Sequence, residues 1–253
     1  MAGSEAESAS DQVPAGAAQF APTHWSVVLS AQDKAHSSLA RASLETLCRV
    51  YWHPLYYFAR RQGASPPDAQ DLTQEFFARL LEADSLRAVD RSKGRFRSFL
   101  LASFSHFLSN ERDKARAQKR GGGAVPIPID GAGAETRYGL EPRDDLTAEK
   151  IFERQWALAL LEQTTTRLRR EYDSAGKLDL FDKLKVTLTE PRGEIAYAEL
   201  GRMLDLSEGA VKVAVHRLRV RYRAVLRAEV ADTLTDPSEV EDEVRHIFRA
   251  LSA

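Results

Sequence analysis

The segment from Ile195 to Arg223, IAYAELGRMLDLSEGAVKVAVHRLRVRYR, constrains the fold more than any other, because two helical periodicities run through it side by side. Val211, Val215, Leu218, Tyr222 and Val225 recur at helical spacing, and Lys212, His216, Arg219 and Arg223 repeat that spacing one residue later. The pattern predicts a helix with one apolar and one basic face. A shorter amphipathic segment precedes it, with Ala198, Leu200, Met203 and Leu204 apolar. Asp205-Leu206-Ser207 between the two allows only a tight turn, with Ser207 placed as an N-cap. Together they predict a helix-turn-helix whose second helix enters a DNA major groove. A solvated surface helix shows the same periodicity, and charge weighs between the two readings. No Asp or Glu lies between Gly209 and Arg227, and unopposed cations on one face repel one another unless a polyanion meets them.

The chain has 253 residues and a formal charge of -1, so it can bury a real core and is not a polycation overall. Charge is segregated instead: Arg95 to Arg120 and Lys212 to Arg227 are basic, whereas Glu135 to Glu153 and Asp232 to Glu243 lean acidic. Local patches, rather than net charge, would then steer a nucleic acid. The lone Cys48 rules out an intramolecular disulfide and a cysteine-based zinc cluster, and it fits a reducing, cytoplasmic setting. No apolar run reaches membrane-spanning length, so no membrane association is expected. The six histidines, at 24, 36, 53, 106, 216 and 246, have no ligand spacing, and no Gly-rich loop follows a strand. Neither metal nor cofactor, catalytic residue nor small-molecule substrate is expected, and the chain reads as a non-enzyme.

Helical periodicity dominates the rest. The only strand-like run is Val125 to Ile129, broken by two prolines. Helices are expected from Trp25, over Leu39 to Arg61 with a disturbance at Pro54, over Asp68 to Leu81, and over Phe96 to Gln118. Further helices start near Thr147, with Phe152, Trp156 and Leu160 on the core face, and span Leu178 to Leu188. A last helix is signalled by Asp236 as N-cap, Pro237 at its first position and Glu239 closing a capping box, with Val240, Val244, Ile247, Phe248 and Leu251 folding back on the second domain. The composition changes abruptly at Gly121-Gly122-Gly123. The expected fold is therefore all-α: a disordered tail (1–22), an N-terminal helical domain (23–120), a flexible linker (121–146), a helix-turn-helix domain (147–231) and a C-terminal helical extension (232–253).

Between Gly94 and Arg120, Phe96, Phe99, Phe104 and Phe107 alternate with Arg95, Arg97, Arg112, Lys114, Arg116, Lys119 and Arg120. Aromatics can stack on unpaired bases while cations track phosphates. Helical spacing beside Leu100, Leu101 and Leu108 favours the core for Phe96, Phe99 and Phe104.

Three motifs in order give the chain a resemblance, from about Ala40 to Arg227, to bacterial sigma factors of the sigma-70 class, specifically the extracytoplasmic-function (ECF) group. They are DAQDLTQEFFARLLE at Asp68 to Glu82, GRFRSFLLASFSHFLSNE at Gly94 to Glu111, and SEGAVKVAVHRLR at Ser207 to Arg219. The resemblance implies core RNA polymerase and promoter DNA as partners, and admits an inhibitory anti-sigma factor as a third. It assigns Asp71, Gln74 and Glu75 to polymerase binding, for which a solvated helix face is the plain alternative. It assigns Arg95, Arg97, His106, Asn110, Arg112 and Arg116 to the melted promoter strand. Lys212, Val213, His216, Arg217 and Arg219 fall to the upstream, minus-thirty-five element, Val213 as a thymine-methyl contact. The linker acids Asp130, Glu135, Asp144 and Asp145 would mimic nucleic acid in the polymerase cleft. The chain departs from the family in Phe99-Leu100, where Trp-Leu is usual, and in His106, where Asn is usual. The competing expectation is a conventional helix-turn-helix regulator with an N-terminal sensor or dimerisation module; the Asp68 to Glu82 motif discriminates between them.

Overall fold

The computed structural model describes residues 37–82, 95–118, 146–189 and 197–252. Eight α-helices and two 3-10 turns make up these residues, which contain no strand: α1 (Ser37–Arg61), α2 (Pro66–Glu82), α3 (Phe96–Gln118), α4 (Ala148–Ser174), α5 (Leu178–Leu184) running into a 3-10 turn (Lys185–Leu188), α6 (Tyr197–Leu204), α7 (Glu208–Asp232), and a 3-10 turn (Pro237–Glu239) leading into α8 (Val240–Ser252). The all-α expectation is met. The Trp25 helix, the Val125 to Ile129 run, the N-terminal tail and nearly all of the 121–146 linker lie outside the described residues.

Helix starts follow local chemistry. Ser65 caps α2: its Oγ accepts from the Asp68 backbone N–H and donates to the Asp68 carboxylate at 2.6 Å, with Pro66 just behind it. The helix thus begins two residues before the expected Asp68. Thr147 caps α4 by accepting from Lys150 N–H at 3.3 Å. Helix α1 runs through Pro54 without interruption, since Pro54 is buried in packing that offsets its missing N–H. Asp236 caps the last turn through Ser238 N–H at 2.8 Å, but Glu239 does not close the expected capping box. Its carboxylate lies 3.7 Å from Arg95, just ahead of α3, instead.

One hydrophobic cluster takes in Tyr51, Leu55 and Phe58 of α1, Phe76 and Leu80 of α2, and Phe96, Leu100 and Phe104 of α3. It continues through Phe152, Trp156 and Leu160 of α4, Leu226 and Val230 of α7, and Ile247 of α8. Helix α4 lies along α1, so the two sides of the expected linker share a core. A second, smaller cluster joins Leu168, Phe181 and Leu184 to Leu200, Val211, Val215 and Leu218. Helix α8 packs on both α4 and α7, with Ile247 buried, Val240, Val244 and Leu251 half-buried and Phe248 exposed.

Near the C-terminal end of α7, Glu229 is buried and held by Gln163 and by Arg167 at 2.8 Å. Burial pushes the neighbouring Asp232 carboxyl up to about 7, with the Glu229 charge adding to the rise and Arg167 opposing it. The folded state therefore holds a proton that the unfolded chain gives up near its ordinary carboxyl value, so stability falls as pH rises from about 4 to about 7. Asp232→Asn removes that penalty. It should raise stability at pH 8 by about 1 kcal/mol, the carboxylate being screened by solvent, with the gain vanishing near pH 4 in thermal melts.

Candidate nucleic-acid and polymerase interfaces

The α6–α7 pair is built by its turn. Leu206 N–H donates to the Gly201 carbonyl at 2.9 Å, and Asp205 takes φ 53°, a left-handed conformation that a short polar side chain tolerates. Any Cβ on Gly201 would stand 2.6 Å from the Leu206 carbonyl oxygen, so the turn folds against a helix surface that only glycine leaves open. Ser207 then caps α7, its Oγ accepting from Ala210 N–H at 3.2 Å, as its position predicts. The sequence reading found the cap and missed Gly201, although Gly four residues before the polar turn residue was the available signal.

Burying Val211, Val215 and Leu218 turns the opposite face of α7 to solvent. Lys212, Val213, His216, Arg217 and Val220 are exposed there, the two valines each half-accessible. The cations are less unopposed than the sequence suggested. Lys212 pairs with Glu208 at 2.7 Å, one turn back, and Arg221 is gripped by Glu171 of α4 through two hydrogen bonds at 2.7 and 2.9 Å. Arg219 is half-buried and donates twice to the Thr187 carbonyl, at 2.7 and 3.2 Å, pinning α7 to the 3-10 turn. Arg217 and Arg223 make no ion pair with the described residues. Lys212, His216, Arg219, Val220 and Arg223 line a shallow depression of about 460 Å³ with Tyr197.

In the first three helices, a groove of about 470 Å³ has Ala59, Ala64, Leu72 and Leu108 for its floor and Asp68, Asp71, Glu75 and Glu111 around its rim. Asp71 and Glu75 are exposed and Gln74 is half-buried. Arg79 joins Glu75 to Glu111, reaching Glu111 at 2.8 Å, and its guanidinium lies 5.0 Å over the Phe107 ring. Burial pushes the Glu111 carboxyl up, but hydrogen bonds from Lys114 and Arg79 outweigh it and hold the group below the usual carboxylate range. Glu111 and Asp68 were missed from sequence: Glu111 comes from the third helix and Asp68 reads first as a helix-start residue.

The expected melted-strand residues divide. His106, Asn110 and Arg112 are exposed along α3, with Arg112 donating to the Gln62 carbonyl at 2.7 Å, while the Arg116 side chain lies outside the described residues. Arg97 is a correction: only 4% exposed, it faces the interior. Its Nε donates to Glu153 of α4 at 2.8 Å, its Nη1 pairs with Glu243 of α8, and its Cζ lies 4.7 Å over the Trp156 ring. His246 of α8 shares the Glu153 carboxylate at 2.7 Å. Burial pulls the Arg97 guanidinium down from its ordinary value, with Glu153 opposing. Arg95, half-buried, lies 3.0 Å from Glu243. Phe96, Phe104 and Phe107 are buried among one another and with Tyr51, Phe58 and Phe76, so these rings hold the core rather than stacking on bases. Among the described residues, no cluster of His, Cys, Asp and Glu could hold a metal ion, and no helix is long and apolar enough to cross a membrane.

Residues 47–117, which span most of α1 to α3, match the family model for sigma-70 region 2. Over those residues the chain is similar to the sigma-70 class of sigma factors. The ECF RNA polymerase sigma factor SigE of Mycolicibacterium smegmatis is 26% identical over 213 residues, covering 84% of this chain and 71% of the relative. No solved structure gives a significant match.

Gly201→Ala forces the Cβ onto the Leu206 carbonyl. It should cost about 1–3 kcal/mol in urea unfolding, as overpacking does, and weaken duplex DNA binding by misplacing α7. Unchanged stability and binding would show that the turn does not set the α6–α7 angle.

Proposed function

We infer that this protein binds core RNA polymerase and directs it to a promoter, where it starts transcription. The observation that carries this reading is the region 2 match over α1 to α3, with a helix-turn-helix later in the same chain. A sensor or dimerisation module has no reason to carry that region, which disfavours the conventional regulator.

The groove rimmed by Asp71 and Glu75, with Gln74 beside it, is the proposed polymerase contact, and Glu111 extends it. An acidic rim around an apolar floor suits a basic helical partner, because charge steers the encounter and apolar contact holds it. His106, Asn110, Arg112 and Arg116 along α3, with Arg95 at its start, are proposed to hold the melted strand. Lys212, His216, Arg217 and Arg219 are proposed to read the upstream element, with Val213 against a thymine methyl. Lys212 and Arg219 each keep a protein partner, so Arg219 would contribute only the N–H groups left over from Thr187. The 121–146 segment is proposed as the connector between the two DNA-contacting parts, its acids mimicking nucleic acid in the polymerase cleft. The setting is the cytoplasm, where polymerase works, and an anti-sigma factor is a partner of the kind this class takes.

Pull-down with core polymerase and run-off transcription test the reading. Asp71→Ala with Glu75→Ala should lower polymerase retention without altering the helical content. Arg217→Ala should cost about 1–3 kcal/mol in promoter discrimination if it meets a base edge. If it meets a phosphate, binding should instead weaken uniformly across sequences, with the salt slope reduced by about 1. Tight sequence-specific DNA binding without polymerase, and no transcription with it, overturns the sigma reading.

A further inference from the structure

We propose that the C-terminal helix α8 is an autoinhibitory latch that keeps the start of the strand-binding helix α3 shut until it detaches. The proposal rests on the reading of α3 given above. Two carboxylates from residues 237–252 occupy the places where phosphates would otherwise meet α3. Glu243, 1% exposed, pairs with both Arg95, at 3.0 Å, and Arg97, while Glu239 approaches Arg95 at 3.7 Å. A carboxylate pairing with two guanidiniums is the chemical equivalent of a backbone phosphate doing so, which makes α8 a competitor for the strand.

Helix α8 is fastened by Glu243 and by a thin apolar seam in which Val240, Val244 and Leu251 are only half-buried. Ile247 is its only fully buried apolar side chain, and His246 adds a hydrogen bond to Glu153. Glu241 reaches Arg227 at 2.6 Å across an exposed surface, where such a pair contributes little. Its outer face, Asp242, Arg245 and Phe248, is exposed. A helix held in this way belongs to the low-stability end of a fold and can open without global unfolding. When it does, Arg97 keeps Glu153 and the Trp156 ring, so opening leaves no uncompensated buried charge, while Arg95 loses both acidic partners and turns available.

The test uses the full chain. Glu243→Gln and Glu239→Lys each weaken the latch, and each should speed hydrogen exchange in α8 and raise affinity for a fluorescein-labelled single-stranded oligonucleotide about tenfold in anisotropy titrations, through regained phosphate contacts. Asp242→Asn and Asp242→Lys make the same charge changes on the outer face of the same helix, where the partner is Arg245 of α8 itself, and should leave strand affinity within about twofold. Glu239 is half-exposed, so Glu239→Lys carries the test even where Glu243→Gln impairs folding. Equal gains from the Asp242 variants would mean that net charge alone is at work, and unchanged affinity in both latch variants would mean that α8 shields nothing; either overturns the latch. Loss of transcription in every variant and in the parent chain, with the strand-affinity gains intact, would sink the sigma reading and spare the latch.

Discussion

The Arg97 guanidinium is the point on which the rest of the arrangement depends. It sits where α1, α3, α4 and α8 meet, with Glu153 and Glu243 on its edge and Trp156 on its face. A charge so deep is tolerated because it is paired, hydrogen-bonded and stacked at once. Removing Glu153, the partner within the α1–α4 core, would strand the guanidinium, a loss that typically costs about 3–5 kcal/mol. That cost makes the cluster a device for specifying one packing. Apolar contacts alone would let α4 slide on α1, whereas a guanidinium held by Glu153 and stacked on Trp156 accepts one geometry.

The consequences reach both functional faces. By fixing α4 against α1, the cluster sets the position of the scaffold that carries the helix-turn-helix, since α4 grips α7 through Glu171 and Arg221 and through Arg167 and Glu229. By taking Arg97 inward, it also leaves α3 to present only part of its basic residues. The acidic groove is independent of it, being closed within α1 to α3 by Phe76, Phe104 and Phe107 and by the Arg79 bridge. One end of the first three helices can thus engage a partner while the other remains covered by α8.

Period and punctuation made much of this legible. The amphipathic pattern located α1 to α4, α6 and α7, and Ser207, Thr147 and Asp236 marked helix starts, because caps and faces are decided within a few residues. The exposed basic face of α7 and the exposed Asp71 and Glu75 followed from the same periodicity. Roles that depend on what lies across the core were not legible. Arg97 and Arg112 look alike in sequence, yet one is buried beneath Trp156 and the other is exposed beside Gln62. Glu239 has capping-box spacing and turns to Arg95, a partner far away along the chain.

The sequence by itself determined that this chain is helical, that it carries a region 2 motif ahead of a helix-turn-helix, and which side of α7 faces solvent. Those properties follow from hydrophobic period, charge spacing and turn chemistry, all of them local. Only the tertiary structure decided that α4 and α8 close on α1 and α3 across the 121–146 segment, that Gly201 is the residue the α6–α7 turn cannot do without, and that Arg95 and Arg97 meet carboxylates of the protein's own C-terminal helix. Ion pairs and close backbone approaches join residues far apart in the chain, and nothing in a local pattern records which of them will be brought together.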